Sequence, residues 1–176
     1  MKAINIIDKL DSGNQQYLLT SDKMLLEHTA KNGQHPYAIV ICCSDSRVIP
    51  EQIFSASVGD LFVIRVAGNV LDNHQLGSIE YAAAHLGCSL IVVLGHTHCG
   101  AVDAALSGHT DGFISYITDD IREAVGDEKD PLKAARLNVL HGVKRIQDEF
   151  SEHPEIEGIT VRGALYDIET GTVEWL

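Results

Sequence analysis

The chain has 176 residues and a formal net charge of −12 at pH 7, from 13 Lys and Arg against 25 Asp and Glu. A hydrophobic fraction of 45% excludes wholesale disorder, and one domain of this size buries roughly two-thirds of the surface its unfolded chain exposes. The acidic balance speaks against nucleic acid as a partner, and four cysteines are too few for a disulfide scaffold.

The N-terminus, Met1-Lys2-Ala3-Ile4-Asn5, carries no apolar run of the about 7–15 residues that a secretory leader needs. No apolar stretch approaches the roughly 18 residues that span a bilayer. A cytoplasmic chain without membrane contact is therefore expected, where thiols stay reduced and cysteine usually means metal or catalysis. The residues up to about Ala30 read as helical, broken near Ser12-Gly13, with a short apolar patch at Met24, Leu25 and Leu26. Ala38-Ile39-Val40-Ile41-Cys42-Cys43 is continuously apolar and β-branched, the pattern of a buried parallel strand. Leu61-Phe62-Val63-Ile64-Arg65-Val66 predicts a second strand. Leu76, Ile79, Ala83 and Leu86 then recur at helical spacing until Gly87. Ser89-Leu90-Ile91-Val92-Val93-Leu94 predicts a third buried strand that ends at Gly95. Asp130 and Pro131 form a cap and first-turn pair for a helix that places Leu132, Ala135, Val139, Val143, Ile146 and Phe150 on one face. Residues 158–166 read as a strand, with a hairpin-like return over 172–176 after Thr170-Gly171. This alternation predicts a single α/β domain with a mainly parallel central sheet flanked by helices. Its parts are a helical arm at 1–32, a core at 33–102, and helices with a terminal strand and hairpin at 103–176.

Two segments just past predicted strands carry the chemistry: Cys42-Cys43-Ser44-Asp45-Ser46-Arg47 and Gly95-His96-Thr97-His98-Cys99-Gly100. In open α/β sheets, ligands bind at the carboxyl ends of the strands. Cys43, His96 and Cys99 offer two thiolates and one imidazole, a donor set that suits Zn²⁺ with a fourth position open for water. Two other readings stay open on spacing alone: a closed structural zinc with His98 or Cys42 as fourth ligand, or cysteines merely buried at strand ends. Asp45 and Arg47 favour the open site, because a structural zinc has no need of them. An ionised Asp45 only accepts, so it can hold a proton of metal-activated water and aim a lone pair at substrate. Arg47 can hold Asp45 through two parallel N–H bonds and keep it from turning onto the metal.

These two segments, 53 residues apart counted from Cys43 to His96, resemble the paired zinc motifs of the β-class carbonic anhydrases. The similarity covers most of residues 33–102. The resemblance implies one zinc per chain on Cys43, His96 and Cys99, an Asp45–Arg47 orienting dyad, and reversible hydration of CO2 to bicarbonate. Two thiolates cancel the charge of Zn²⁺, so activity is expected to rise on the alkaline side of neutrality. Gln34, nine residues before Cys43, Phe62, nineteen after it, and Tyr81, fifteen before His96, match substrate-pocket positions of plant-type members. Phe62 and Tyr81 would wall a pocket for an uncharged gas, and the Gln34 amide could donate to a developing oxygen charge. The resemblance implies that these come partly from a neighbouring subunit in a homodimer or larger homo-oligomer, with the N-terminal helices packed on a partner. Many members carry Asn at the Val66 position, and Ala67 and Gly68 are small, which would enlarge the pocket. Carbon disulfide hydrolases resemble this fold and ligand set, so hydrolysis of CS2 or COS is the neighbouring reading. A non-catalytic zinc-stabilised or redox-sensing module is the reading from another class.

The remaining candidates read as packing or surface. Cys42 points to the opposite face of its strand from Cys43, and Cys88 opens a buried strand as a small hydrophobe. His98 could relay protons, but nothing selects it over His28, His35, His74 or His85. Asp119, Asp120, Glu123, Asp127 and Glu128 read as a solvated helix face. Gly59, Gly68, Gly95 and Gly100 read as turn or close-approach positions, with Gly100 a candidate backbone N–H donor toward substrate.

Overall fold

In the computed structural model the three apolar runs become adjacent parallel strands. The structure describes residues 3–108, 111–151, 153 and 158–176; Met1 and Lys2, read above with the N-terminus, lie outside them. Strand β1 (Ala38–Cys42) pairs in parallel with β2 (Leu61–Arg65) on one side and β3 (Leu90–His96) on the other. Strand β4 (Thr160–Tyr166) adds in parallel to β3, and β5 (Val173–Trp175) closes the five-stranded sheet antiparallel, in the order β2-β1-β3-β4-β5. All five residues of β1 are buried, as its unbroken apolar run requires of a strand covered on both faces. The single α/β domain with a mainly parallel sheet is borne out.

The helices are α1 (Ala3–Thr20), α2 (Lys23–Asn32), α3 (Pro50–Ile53), α4 (Asn73–Leu86), α5 (Gly100–Leu106), α6 (Ile114–Val125) and α7 (Pro131–Glu149), with a short 3-10 turn at Ala67–Asn69. Helix α4 starts in a capping box between Asp72 and Gln75 and is closed by Gly87. The Asp130 carboxylate accepts from the Lys133 N–H at 2.9 Å, and Pro131 opens α7.

Three expectations are corrected. Helix α1 runs unbroken through Ser12-Gly13, where the Ser12 hydroxyl donates to the Asp8 carbonyl at 2.8 Å. One interior glycine costs a helix only about 1 kcal/mol. The break falls at Ser21-Asp22, because Asp22 accepts from the N–H groups of Met24 and Leu25 and starts a new helix. Strand β3 continues through Gly95 to His96, since both residues pair with β4, opposite Leu165 and Tyr166. On α7, Ala135, Val139 and Ile146 are buried as expected, but Leu132 in the first turn is 46% exposed.

Contacts divide the chain into two units, Met1–Gln34 and His35–Leu176. The first holds α1 and α2 and shows large apolar side chains to solvent, with Leu10 68% and Leu19 80% exposed. The second holds the sheet. On one sheet face Ile39, Ile41, Ile91 and Val93 pack with Ile79 and Ala82 of α4 and Val139 and Ile146 of α7. On the other, Val40, Cys42, Val92, Leu94 and Ala164 pack with Val48, Ile53 and Phe54. Helix α7 is seated by a wedge: Val139 lies where Gly95 of β3 and Gly163 of β4 leave no side chain. A Cβ on Gly95 would stand 2.4 Å from one Val139 methyl, and one on Gly163 would stand 2.8 Å from the other.

Cys42 and Cys88 are packing residues. Cys42 is fully buried on the face opposite the Cys43 cluster, and burial pushes its thiol up to about 12. The Cys88 thiol donates to the Pro36 carbonyl at 3.2 Å, and burial raises it too. A thiol raised in the folded state favours folding below the unfolded value of about 8.5 and loses that contribution as pH climbs toward 12. Accordingly, iodoacetamide at pH 8 leaves Cys42 unmodified in the native protein and modifies it in urea, as read by peptide mass; native modification would contradict this placement. The acidic run is mainly a solvated face: Asp119, Glu123 and Asp127 are exposed, and Glu128 accepts from the N–H groups of Lys129 and Asp130.

Candidate metal centre

Three chain segments converge at the carboxyl ends of β1 and β3. Cys43 is the first residue past β1, His96 the last of β3, and Cys99 the N-cap of α5. The chain reverses between His96 and Cys99 because His98 takes the left-handed backbone conformation, with φ of 56°. Both side chains then face one point. The two cysteine sulfurs and a His96 ring nitrogen lie within 4.8 Å of one another, and all three residues are buried.

The donor set fits a metal ion on chemistry as well as on placement. His96 Nδ1 lies 2.8 Å from the Thr97 carbonyl oxygen, which can only accept. Nδ1 therefore carries the proton, and Nε2 is left with a lone pair. That Nε2 is buried and has no hydrogen-bond partner among the described residues, a costly state for a polar atom unless a cation takes the lone pair. The contact with Cys99 is the main reason the Cys43 thiol is held down to about 4. The same contact, with burial, pushes Cys99 up. Two sulfurs and one imidazole nitrogen suit Zn²⁺, which takes up both thiolates and holds tetrahedral sites of this kind.

Asp45 stands beside this group without joining it. Arg47 Nε donates to Asp45 Oδ1 at 2.9 Å and Arg47 Nη2 to Oδ2 at 2.7 Å, a two-pronged bond. The Arg47 backbone N–H adds a third bond to Oδ1 at 2.9 Å. The Arg47 guanidinium holds the Asp45 carboxyl well below the usual carboxylate range. Arg47 also donates to the His98 carbonyl at 3.2 Å, tying the loop after β1 to the turn after β3. His98 turns its own ring outward and pairs with Glu169 at 3.0 Å. Neither His98 nor Cys42 belongs to the three-donor group, so the structure offers no protein fourth ligand among the described residues.

Residues expected around the pocket fall in four places. Ala67 begins the 3-10 turn whose next residue, Gly68, donates its N–H to Cys43 Sγ at 3.3 Å. Gly100 opens α5 directly after Cys99 and is exposed. Phe62 and Tyr81 meet with ring centroids 6.2 Å apart. Phe62 sits opposite Ile39, however, and four residues of strand, roughly 13 Å, separate Ile39 from Cys43. One chain does not bring this pair to its own metal group. Gln34 is exposed and belongs to the Met1–Gln34 unit.

Two supporting residues escape the sequence reading. Arg65, at the end of β2, donates Nη2 to the Asp45 carbonyl at 2.7 Å and Nε to the Cys43 carbonyl at 3.3 Å. Asn138, buried on α7, donates Nδ2 to the Gly68 carbonyl at 2.8 Å. A charge closing an apolar strand was a signal for Arg65. Asn138 carries no local signal, because its partner lies 70 residues away.

The sequence profile of the carbonic anhydrase family matches residues 38–173. Across 97% of this chain and 90% of the other, the fold superposes with a TM-score of 0.83 on a β-carbonic anhydrase of Aspergillus fumigatus, at 27% identity. The chain belongs to the β-class carbonic anhydrase family. It is also similar to one of two tetrameric β-carbonic anhydrases of Sordaria macrospora, with a TM-score of 0.79 and 31% identity over 98% of this chain and 96% of that one. In sequence it is 41% identical over 131 residues to carbonic anhydrase 2 of Mycobacterium tuberculosis, covering 73% of this chain and 59% of that protein. It is 53% identical over 121 residues to a carbonic anhydrase of Mycolicibacterium smegmatis, covering 68% of this chain and 56% of that protein. The chain thus spans under three-fifths of the length of these mycobacterial carbonic anhydrases.

Proposed function

We propose that this chain catalyses the reversible hydration of CO2 to bicarbonate and a proton, with one Zn²⁺ held by Cys43, His96 and Cys99. The observation that carries the reading is the unpartnered, buried His96 Nε2 facing two cysteine sulfurs, beside a carboxylate pinned by arginine. When bound, Zn²⁺ would supply the Lewis acidity that activates water, on the alkaline side of neutrality because two thiolates cancel its charge. The chain's own residues do the aiming. Ionised Asp45 accepts a hydrogen bond from the attacking water and directs a lone pair of its oxygen at the CO2 carbon. Arg47 holds Asp45 in that role and keeps its oxygens off the cation. Ala67 gives the pocket a small wall, and the Gly100 N–H is a donor for an oxygen of the substrate as charge develops on it.

Phe62, Tyr81 and Gln34 complete the pocket from a second copy, so the active unit is a homodimer or larger. Two observations support this: the pair lies far along the sheet from its own Cys43, and α1 shows Ile7, Leu10 and Leu19 to solvent. Residues 1–32 then serve as an arm on the partner, with 33–102 as the zinc core and 103–176 as its supporting helices and hairpin. A reducing, cytoplasmic setting agrees with four free, buried cysteines; no helix among the described residues is long and apolar enough to cross a membrane.

The test combines metal analysis with stopped-flow CO2 hydration. One zinc per chain and rapid hydration are expected, and His96→Ala or Cys99→Ser loses metal and rate together. One zinc per chain with no hydration of CO2 defeats the proposal, and turnover of CS2 or COS in its place reassigns the substrate.

A further inference from the structure

Helix α7 touches the metal group through a relay that the reaction itself does not use. Asn138 is 5% exposed, one of four buried polar residues in the described chain. Its amide donates to the Gly68 carbonyl at 2.8 Å, and the Gly68 N–H donates to Cys43 Sγ at 3.3 Å. Gly68 can make both bonds because it sits at φ of 70°, in the left-handed region that favours glycine. It is also enclosed: a Cβ there would lie 2.8 Å from Ile121 Cδ1 and 3.0 Å from Ala101 Cβ. The height of α7 over the sheet is set one residue further on, where Val139 drops into the gap above Gly95, the residue before His96. Neighbouring side chains of one helix therefore address both sides of the metal group. Val139 braces the strand end that carries His96, and Asn138 fixes the turn that bonds Cys43.

We infer that Asn138 is a positioning residue for the metal centre: by anchoring the Gly68 carbonyl it fixes the backbone of the turn at Gly68, whose N–H in the preceding peptide is thereby aimed at the Cys43 sulfur and tunes that sulfur as a ligand. The inference rests on the zinc reading above and adds to it. An N–H bond draws electron density from a thiolate and fixes the direction of its lone pairs. Outer partners of metal ligands of this kind typically change affinity by about 10- to 100-fold. Without Asn138, the Gly68 carbonyl is buried with no side-chain donor, and the turn loses the anchor that fixes the direction of the Gly68 N–H toward Cys43.

The experiment compares the parent protein with Asn138→Leu, which is similar in size but cannot donate. The readouts are zinc affinity by competition with a chromophoric chelator, and the sulfur-to-cobalt charge-transfer band of the Co²⁺-loaded protein. Ile146→Ala, on the same helix and buried away from the metal group, is the control for loss of packing alone. Asn138→Leu is expected to weaken zinc binding about 10- to 100-fold and to move the cobalt band, whereas Ile146→Ala lowers the melting temperature and leaves the band in place. If Asn138→Leu fails to fold, Asn138→Ala removes the same donor without bulk and carries the same readouts. An unchanged band and affinity in the Asn138 variant overturns the inference while the zinc reading stands. A parent protein that binds no zinc overturns the zinc reading itself.

Discussion

Asp45→Asn is expected to lower the rate of CO2 hydration by about 10²- to 10⁴-fold and to leave one zinc per chain. The two halves of that result have separate physical causes. Zinc stays because the three converging donors are Cys43, His96 and Cys99, and Asp45 is not among them. The rate falls because Asp45 is a pure acceptor with both oxygens engaged by Arg47, at 2.9 and 2.7 Å. An amide keeps the shape but presents one N–H2 edge. Set against the guanidinium, that edge puts donor against donor; turned outward, it donates where the attacking water needs an acceptor. Arg47→Lys sharpens the case. A lysine keeps the charge but forms no two-pronged bond, so rate falls while Asp45 is intact. Metal analysis beside stopped-flow hydration reads both halves. Full activity in Asp45→Asn would remove Asp45 from the mechanism, and loss of zinc would make it a ligand.

Gly95→Ala is the substitution with the largest expected structural cost, about 1–3 kcal/mol of overpacking. The added Cβ would lie 2.4 Å from a Val139 methyl. Val139 is fully buried and β-branched, so it has no easy rotamer by which to yield. Helix α7 must lift or β3 must shift, and the next residue on β3 is His96. Urea unfolding is expected to show the loss, with weakened zinc binding alongside. Val139→Ala opens the space and restores part of the stability, giving a favourable coupling of about 0.5–3 kcal/mol in the double-mutant cycle. Strictly additive effects would mean that the wedge between helix and strand does not govern this packing.

Much of the fold was legible because one-dimensional signals coincide with local physics. The apolar β-branched runs became strands, β1 and β3 buried in the sheet and β2 half-buried at its edge. The Asp130-Pro131 start and the Gly87 stop depend only on residues of their own helices. The misreadings lie where a weak local preference met a stronger neighbour. Gly13 lowers helix stability slightly, but the Asp22 cap is what sets the boundary. Gly95 looks like a strand end and is instead held in the sheet by β4, nearly seventy residues later.

The candidate site divides along the same line. The identities of its chemical groups, Cys43, Asp45, Arg47, His96 and Cys99, were determined by sequence alone, because two short motifs carry them past strands whose ends must lie at one edge of a parallel sheet. Tertiary structure decided how those groups are held. The lone pair left on His96 Nε2 depends on a carbonyl's direction. The turn that bonds Cys43 depends on Asn138, and the loop carrying Asp45 depends on Arg65 from a neighbouring strand. It also decided that Phe62 and Tyr81 stand together but four strand residues from the position of Cys43. Spacing along a chain says which atoms are available. Only the register of strands and the seating of a helix between glycines say which of them meet.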